Sequence, residues 1–195
     1  MYELPVTITI NERVLTIRNN GDYRMVLDCF NAINDVELTE EERIVSSLII
    51  FYEDLEEVED VLGLDEEVFT SLVKQMFNFF NCGREDSVAA KVNFKVIDWD
   101  KDSQLISAGI NKVANTEIRS VDYCHWWTFM GYFCSIGESA LSTVVGIRNK
   151  IAKGKKLEKY EQEYKNENPQ YFVWDSRLLK QKEDDALLNE LWNKE

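Results

Sequence analysis

With 195 residues, 45% of them hydrophobic, the chain carries enough apolar material to bury a core as one domain or as two small ones, which excludes disorder throughout. Its 22 Lys and Arg face 36 Asp and Glu, a net charge of −14. Nucleic-acid affinity comes largely from basic side chains displacing condensed counterions, so this balance argues against a general nucleic-acid binder and suits a basic partner. The charge is uneven: residues 1–86 hold 6 Lys/Arg against 20 Asp/Glu, and residues 87–195 hold 16 against 16.

From Val6 to Ile17 β-branched and polar residues alternate around Asn11-Glu12, which predicts a small hairpin that must pack on something else to be stable. The period then changes to helical, with Tyr23, Val26, Leu27, Phe30 and Ile33 on one face. Thr39 followed by Glu42 has the form of a capping box, and the acidic residues 40–42 suit the positive end of a helix dipole. That helix has Ile44, Leu48, Ile49, Phe51 and Tyr52 as its apolar face and ends near the acidic run 53–60. A third helix from Asp65 carries Val68, Phe69, Leu72, Val73, Met76, Phe77 and Phe80, and stops at Asn81-Cys82-Gly83, where Gly83 serves as a left-handed cap.

Residues 84–97 are polar, then short and alternating, and mark the candidate boundary between an acidic N-terminal region, 1–86, and a helical region, 87–195. One continuous domain is the other arrangement of these two regions. The second region predicts helices near 101–114, 120–136, 139–153, 155–167 and 176–193, with Ser120 capping the second and Asn168-Pro169 separating the last two. The expected fold is mainly α: a helical bundle with a small N-terminal β-hairpin.

Cys29, Cys82, Cys124 and Cys134 form no C-x-x-C pair, and three lie in apolar segments, so buried free thiols are expected. The N-terminus has neither a basic n-region nor an apolar h-region, and no apolar run approaches the length of a membrane span. The expected location is the cytosol, with no membrane partner.

Asp98, Asp100 and Asp102 alternate as in the first half of a calcium loop, but position six is Ser103 instead of glycine and position twelve is Gly109 instead of a bidentate glutamate. They are read as the charged entry and cap of the following helix. His125 is the sole histidine. On a helix, Asp122, His125 and Thr128 would form a narrow polar seam in an otherwise apolar surface, and such a helix is buried in a bundle. Trp126, Trp127 and Phe129 are therefore assigned to the core, and His125 to a core site satisfied by Asp122 or by backbone. No nucleophile or phosphate loop accompanies it, so no catalytic, cofactor or metal residue is assigned. Two candidate interaction surfaces are read beside their structural alternatives: the Phe-rich helix with Phe69, Phe77, Phe79 and Phe80, which reads first as a core helix, and the basic stretch with Arg148, Lys150, Lys155 and Lys156, which also reads as a solvated helix end.

The acidic D98-W-D-x-D entry, the Asp122…His125-Trp126-Trp127-x-Phe129 core and the Arg148-Asn149-Lys150 element with its Lys-rich continuation resemble the bacteriophage gene product fifteen family of siphophages and prophages. The resemblance covers roughly Asp98 to Asn168, with a looser echo in the N-terminal hairpin. It implies a non-enzymatic tail assembly chaperone in the host cytoplasm, without cofactor or metal. The implied partners are the tape-measure protein and, secondarily, the major tail protein, with self-association left open. The alternative is a structural connector of the virion, and a third reading is an enzyme centred on His125.

Overall fold

The computed structural model describes residues 3–84 and 96–173. The expected helix 176–193 and most of the alternating segment before residue 97 lie outside them. The described residues form eight α-helices and one two-stranded antiparallel hairpin, which is a mainly α fold with a small N-terminal hairpin. The chain divides into two compact units, and the division interleaves the sequence. The first unit contains residues 3–84 and 122–130; the second contains residues 96–121 and 131–173. Residues 122–130, grouped by sequence with the C-terminal region, thus belong with the N-terminal one.

In the first unit, β1 (Thr7–Ile10) and β2 (Arg13–Thr16) pair with Ile8 opposite Leu15 and Ile10 opposite Arg13. Asn11 and Glu12 make the turn with φ of 48° and 67°, the left-handed pair that matches the twist of a two-residue hairpin. The hairpin buries Ile10 and Leu15, and Ile17 just after it, on one face. The far side of β2 is covered: Glu53 N–H donates to Thr16 O at 3.0 Å, and Thr16 N–H donates to the Asp54 carboxylate at 2.7 Å.

Helix α1 (Tyr23–Ile33) starts at the N-cap Asp22, whose carboxylate accepts from Arg24 N–H at 3.0 Å. Helix α2 (Glu40–Phe51) begins with the reciprocal Thr39 and Glu42 capping box read from the sequence. Its fully buried stripe is Val45, Leu48 and Phe51, with Ile44 and Ile49 only half buried. A short helix, α3 (Val58–Leu62), lies inside the acidic run expected to be a break. Helix α4 (Glu66–Phe80) buries Leu72, Met76, Phe79 and Phe80. Edge-on aromatic contacts tie these elements together, Phe51 meeting Tyr52, Phe79 and Phe80, and Phe30 meeting Phe80 and Trp126.

In the second unit, α5 (Ser103–Ala114) and α7 (Ala140–Ala152) bury Ile106, Ile110, Leu141, Val144 and Ile147. Gly109 admits the side chain of Ile136, whose Cδ1 would lie 2.8 Å from a Cβ there. Helix α6 (Trp126–Cys134) carries the division between the units, after Met130. Helix α8 (Lys159–Glu167) opens on a Glu158 and Glu161 capping box, and Pro169 begins a 3-10 turn after it.

One expected element is corrected. The sequence predicts a single helix over 120–136 capped by Ser120, but Ser120 ends a 3-10 turn and α6 starts only at Trp126. Residues 122–125 instead form a non-helical segment beside Asp22, with an isolated antiparallel bridge between Asp22 and His125: Tyr23 N–H donates to Cys124 O, and Cys124 N–H donates to the Asp22 carboxylate, both at 2.9 Å. These long-range bonds replace the helical ones for that stretch. The Asp122, His125 and Thr128 seam therefore does not exist as a helical face. The thiols also depart in part from expectation: Cys29 and Cys124 are buried and unbridged, Cys82 is half buried, and Cys134 is exposed.

Candidate functional site

The His125-Trp126-Trp127 triplet joins three chain segments of the first unit. A helix leaves its last four carbonyls without intrahelical partners, and α4 has those at Phe77, Asn78, Phe79 and Phe80. Asn81 N–H, Gly83 N–H and Cys82 N–H reach Phe77 O, Asn78 O and Phe79 O, each at 2.9 Å. Cys82 and Gly83 turn left-handed, with φ of 57° and 69°, to do so. The two indoles complete the set: Trp126 Nε1 donates to Phe80 O and Trp127 Nε1 to Phe79 O, again at 2.9 Å. Thus the two tryptophans cap the C-terminus of α4 while beginning α6.

His125 does the corresponding work at the other helix. Trp127 N–H donates to His125 Nδ1 at 3.0 Å, so the ring nitrogen acts as the N-cap acceptor of α6. An Nδ1 that accepts carries no proton, so Nε2 is the protonated nitrogen and donates to Pro5 O at 3.0 Å. The ring is therefore neutral, 1% exposed, and satisfied by backbone on both sides; Asp122 is exposed and plays no part. Burial is the main cause lowering its pKa below the ordinary value, against the opposing effects of the Pro5 bond and the nearby Asp22. Gly21, at φ +75°, lies against the ring and against Phe79.

This geometry carries two predictions. Trp126 is 1% exposed and Trp127 half buried, so Trp126→Ala is expected to cost about 3–5 kcal/mol and Trp127→Ala about half as much. Thermal melts of the two variants check the ranking, and equal, unchanged melting temperatures would count against both roles. For His125, a folded-state pKa held below the unfolded value of about 6.5 means that the unfolded chain binds the proton first. The associated stability is present above that value and is lost as pH falls toward the folded-state pKa. Melting temperatures measured between about pH 7.5 and 5.5 should fall more steeply for the wild type than for His125→Gln; parallel slopes would contradict the assignment.

The interaction residues read from the sequence are placed unequally. Phe79 and Phe80 are buried and cannot form an exposed apolar patch, because they fill the core between α4, α2 and the tryptophans. Phe69 and Phe77 are half buried. Arg148 is 5% exposed, which removes it from the expected basic surface. Its guanidinium is paired with Asp102, Nη2 to Oδ1 at 2.9 Å, and donates to Val96 O and Tyr171 O at 3.0 and 2.8 Å. Lys150 is half buried and bonded to Glu161 at 2.7 Å, and this pairing lowers the Glu161 pKa and raises that of Lys150. Lys155 and Lys156 are exposed.

The acidic triplet is likewise used internally. Asp98 accepts from Asp100 N–H and Lys101 N–H at 3.1 and 2.9 Å. Asp102 stands at the N-cap position of α5 without a side-chain cap bond, contrary to the capping role expected, because Arg148 and Asp98 N–H occupy its carboxylate. Among the described residues no cluster of three or more His, Cys, Asp or Glu is arranged for a metal, and no helix is long and apolar enough to cross a membrane.

Two surface features escaped sequence reading. Val58 and Leu62, one turn apart on α3, are 47% and 58% exposed, with exposed Glu56, Glu57 and Asp60 beside them. An open cleft of about 210 Å³ is lined by Pro5, Thr7, Ile8, Thr9, Gln75, Asn78, Phe79 and Trp127. The acidic run masked the first, since Val58 and Leu62 read there as isolated apolar residues; the second depends on segments far apart in sequence.

No curated protein and no solved structure matches the chain. The family described as Bacteriophage Gp15 protein matches residues 1–172, which takes in the hairpin, the His125-Trp126-Trp127 node and the Arg148 ion pair together. By that match, which spans most of its length, the chain belongs to the Bacteriophage Gp15 protein family.

Proposed function

We propose that this phage protein is a tail assembly chaperone, acting in the host cytoplasm without enzymatic activity, that binds the tape-measure protein during tail morphogenesis. Beyond family membership, the observation that supports this reading is the exposed Val58 and Leu62 pair with carboxylates around it. An i, i+4 apolar pair puts two side chains on one helix face, where they can pack against the apolar face of a partner helix, and an acidic rim selects one with flanking lysines or arginines. Apolar burial contributes roughly 25 cal/mol per Å², whereas an exposed ion pair contributes about 0–1 kcal/mol. Contact between apolar side chains therefore supplies most of the affinity, and charge sets the rate of encounter and the choice of partner. The major tail protein is a second partner on this reading, and self-association through the same pair is a further outcome to be measured.

Co-expression with tape-measure fragments tests it. At least one fragment is expected to be retained and kept soluble by the wild-type chain and lost with Val58→Ser/Leu62→Ser, and raised salt should slow association more than it weakens the complex. Retention of no fragment would overturn the chaperone reading, and recovery of the protein in purified virions would favour a structural connector instead.

A further inference from the structure

The hairpin register determines which peptide groups of β1 remain open. Ile10 and Ile8 face Arg13 and Leu15 as hydrogen-bonded pairs, as the two-residue turn requires, and Ile17 N–H continues the ladder to Val6 O at 2.9 Å. Thr7 and Thr9, on the alternate positions, direct their N–H and C=O groups away from β2. The matching groups of Thr16 on the opposite edge are taken by Glu53 and Asp54, but among the described residues none bonds to the Thr7 or Thr9 peptide from outside the hairpin. That open edge forms one wall of the 210 Å³ cleft, with Gln75 and Asn78 of α4 on the other wall and Phe79 and Trp127 also lining it.

We infer that this cleft is a docking site for an extended peptide segment, added as a third strand to β1 and carrying basic residues at its ends. An open strand edge is a template for another strand unless lysine, proline, a bulge or a covering element blocks it; Thr7-Ile8-Thr9-Ile10 carries no such residue, and Pro5, whose carbonyl is taken by His125, closes the edge at its N-terminal end. The walls present uncharged hydrogen-bonding groups, peptide on one side and carboxamides on the other, which suit a peptide backbone. A helix about 10–12 Å across needs a broader trough. The half-buried ring of Trp127 offers an apolar surface for one side chain of the guest. Charge selects the ends: exposed Glu3 and Glu12 stand beyond the two ends of β1, in a region with 6 Lys/Arg against 20 Asp/Glu over residues 1–86. Lys74, next to Gln75 on α4, disfavours a cation at the middle of the guest.

The inference does not rest on the tail-assembly reading, and its test uses the full chain with a synthetic probe. The probe is a short peptide of alternating valine and threonine with lysines at both ends. It should quench or shift the tryptophan emission of the full chain, and amide exchange at Thr7 and Thr9 should slow when it binds. Methylating alternate peptide nitrogens of the probe, which removes its strand bonds, should weaken binding by about tenfold or more. Replacing its lysines with glutamates should weaken it further in low salt. Gln75→Ala/Asn78→Ala, two polar positions whose loss leaves the core intact, should also weaken it. Equal binding of the methylated peptide, equal binding of the glutamate form, or absence of binding would each overturn the inference. So would protection of Thr7 and Thr9 that rises with protein concentration alone, which would assign the edge to a second copy of the chain.

Discussion

Gly21→Ala is expected to lower stability by about 2–5 kcal/mol, through a combination of backbone strain and a collision in the core. At φ +75° an L side chain is disfavoured, and its Cβ would lie 2.8 Å from Phe79 Cζ and 3.0 Å from His125 Nε2. Neither neighbour can step aside cheaply. Phe79 is 3% exposed and packs edge-on against Phe51, while His125 is fixed by bonds to Pro5 and Trp127. For a chain of this length the melting temperature should fall by roughly 5–20 °C. Gly146→Ala provides the contrast, since Gly146 lies within α7 with nothing within 4 Å of an added Cβ, and there alanine should stabilise by about 0.5–1 kcal/mol. A Gly21→Ala protein that melts with the wild type would mean that Phe79 and His125 are not held where the bonds place them.

The second large effect is expected at the ion pair of the second unit. The side chains of Asp102 and Arg148 are 0% and 6% exposed, so Arg148→Met leaves a carboxylate buried without its cation. Loss of one partner of such a pair typically costs about 3–5 kcal/mol, whereas replacing both by apolar groups is often close to neutral. Arg148→Met should therefore destabilise strongly, and Asp102→Leu/Arg148→Met should recover part of the loss. Recovery will be incomplete, because Val96 O and Tyr171 O lose their donor and Asp98 N–H its acceptor. Thermal melts together with amide exchange in α5 and α7 measure both changes. A double variant no more stable than the single one would show that the backbone bonds of Arg148, and not its charge, carry the effect.

Local chemistry made much of the fold legible in the sequence. The hairpin about Asn11-Glu12, the Thr39 and Glu42 capping box, the stop at Asn81-Cys82-Gly83 and the break before Pro169 each depend on residues within a few positions of one another. The mainly α class and the family resemblance follow from such signals and from the His125-Trp126-Trp127 motif. What the sequence could not settle was decided by contacts across long separations. Residues 122–125 have the apolar pattern of a helix, but Asp22, a hundred positions earlier, offers a carboxylate and an extended backbone that compete with the helical bonds. Arg148 reads as one cation in a basic stretch because its partner, Asp102, is remote in sequence and reads as a helix cap. Whether Phe79 and Phe80 belong to a core or to an exposed patch is decided only when the indoles of Trp126 and Trp127 reach the carbonyls beside them. Periodicity reports which side chains share a face, but burial depends on what packs against that face, and that is determined only when the whole chain has folded.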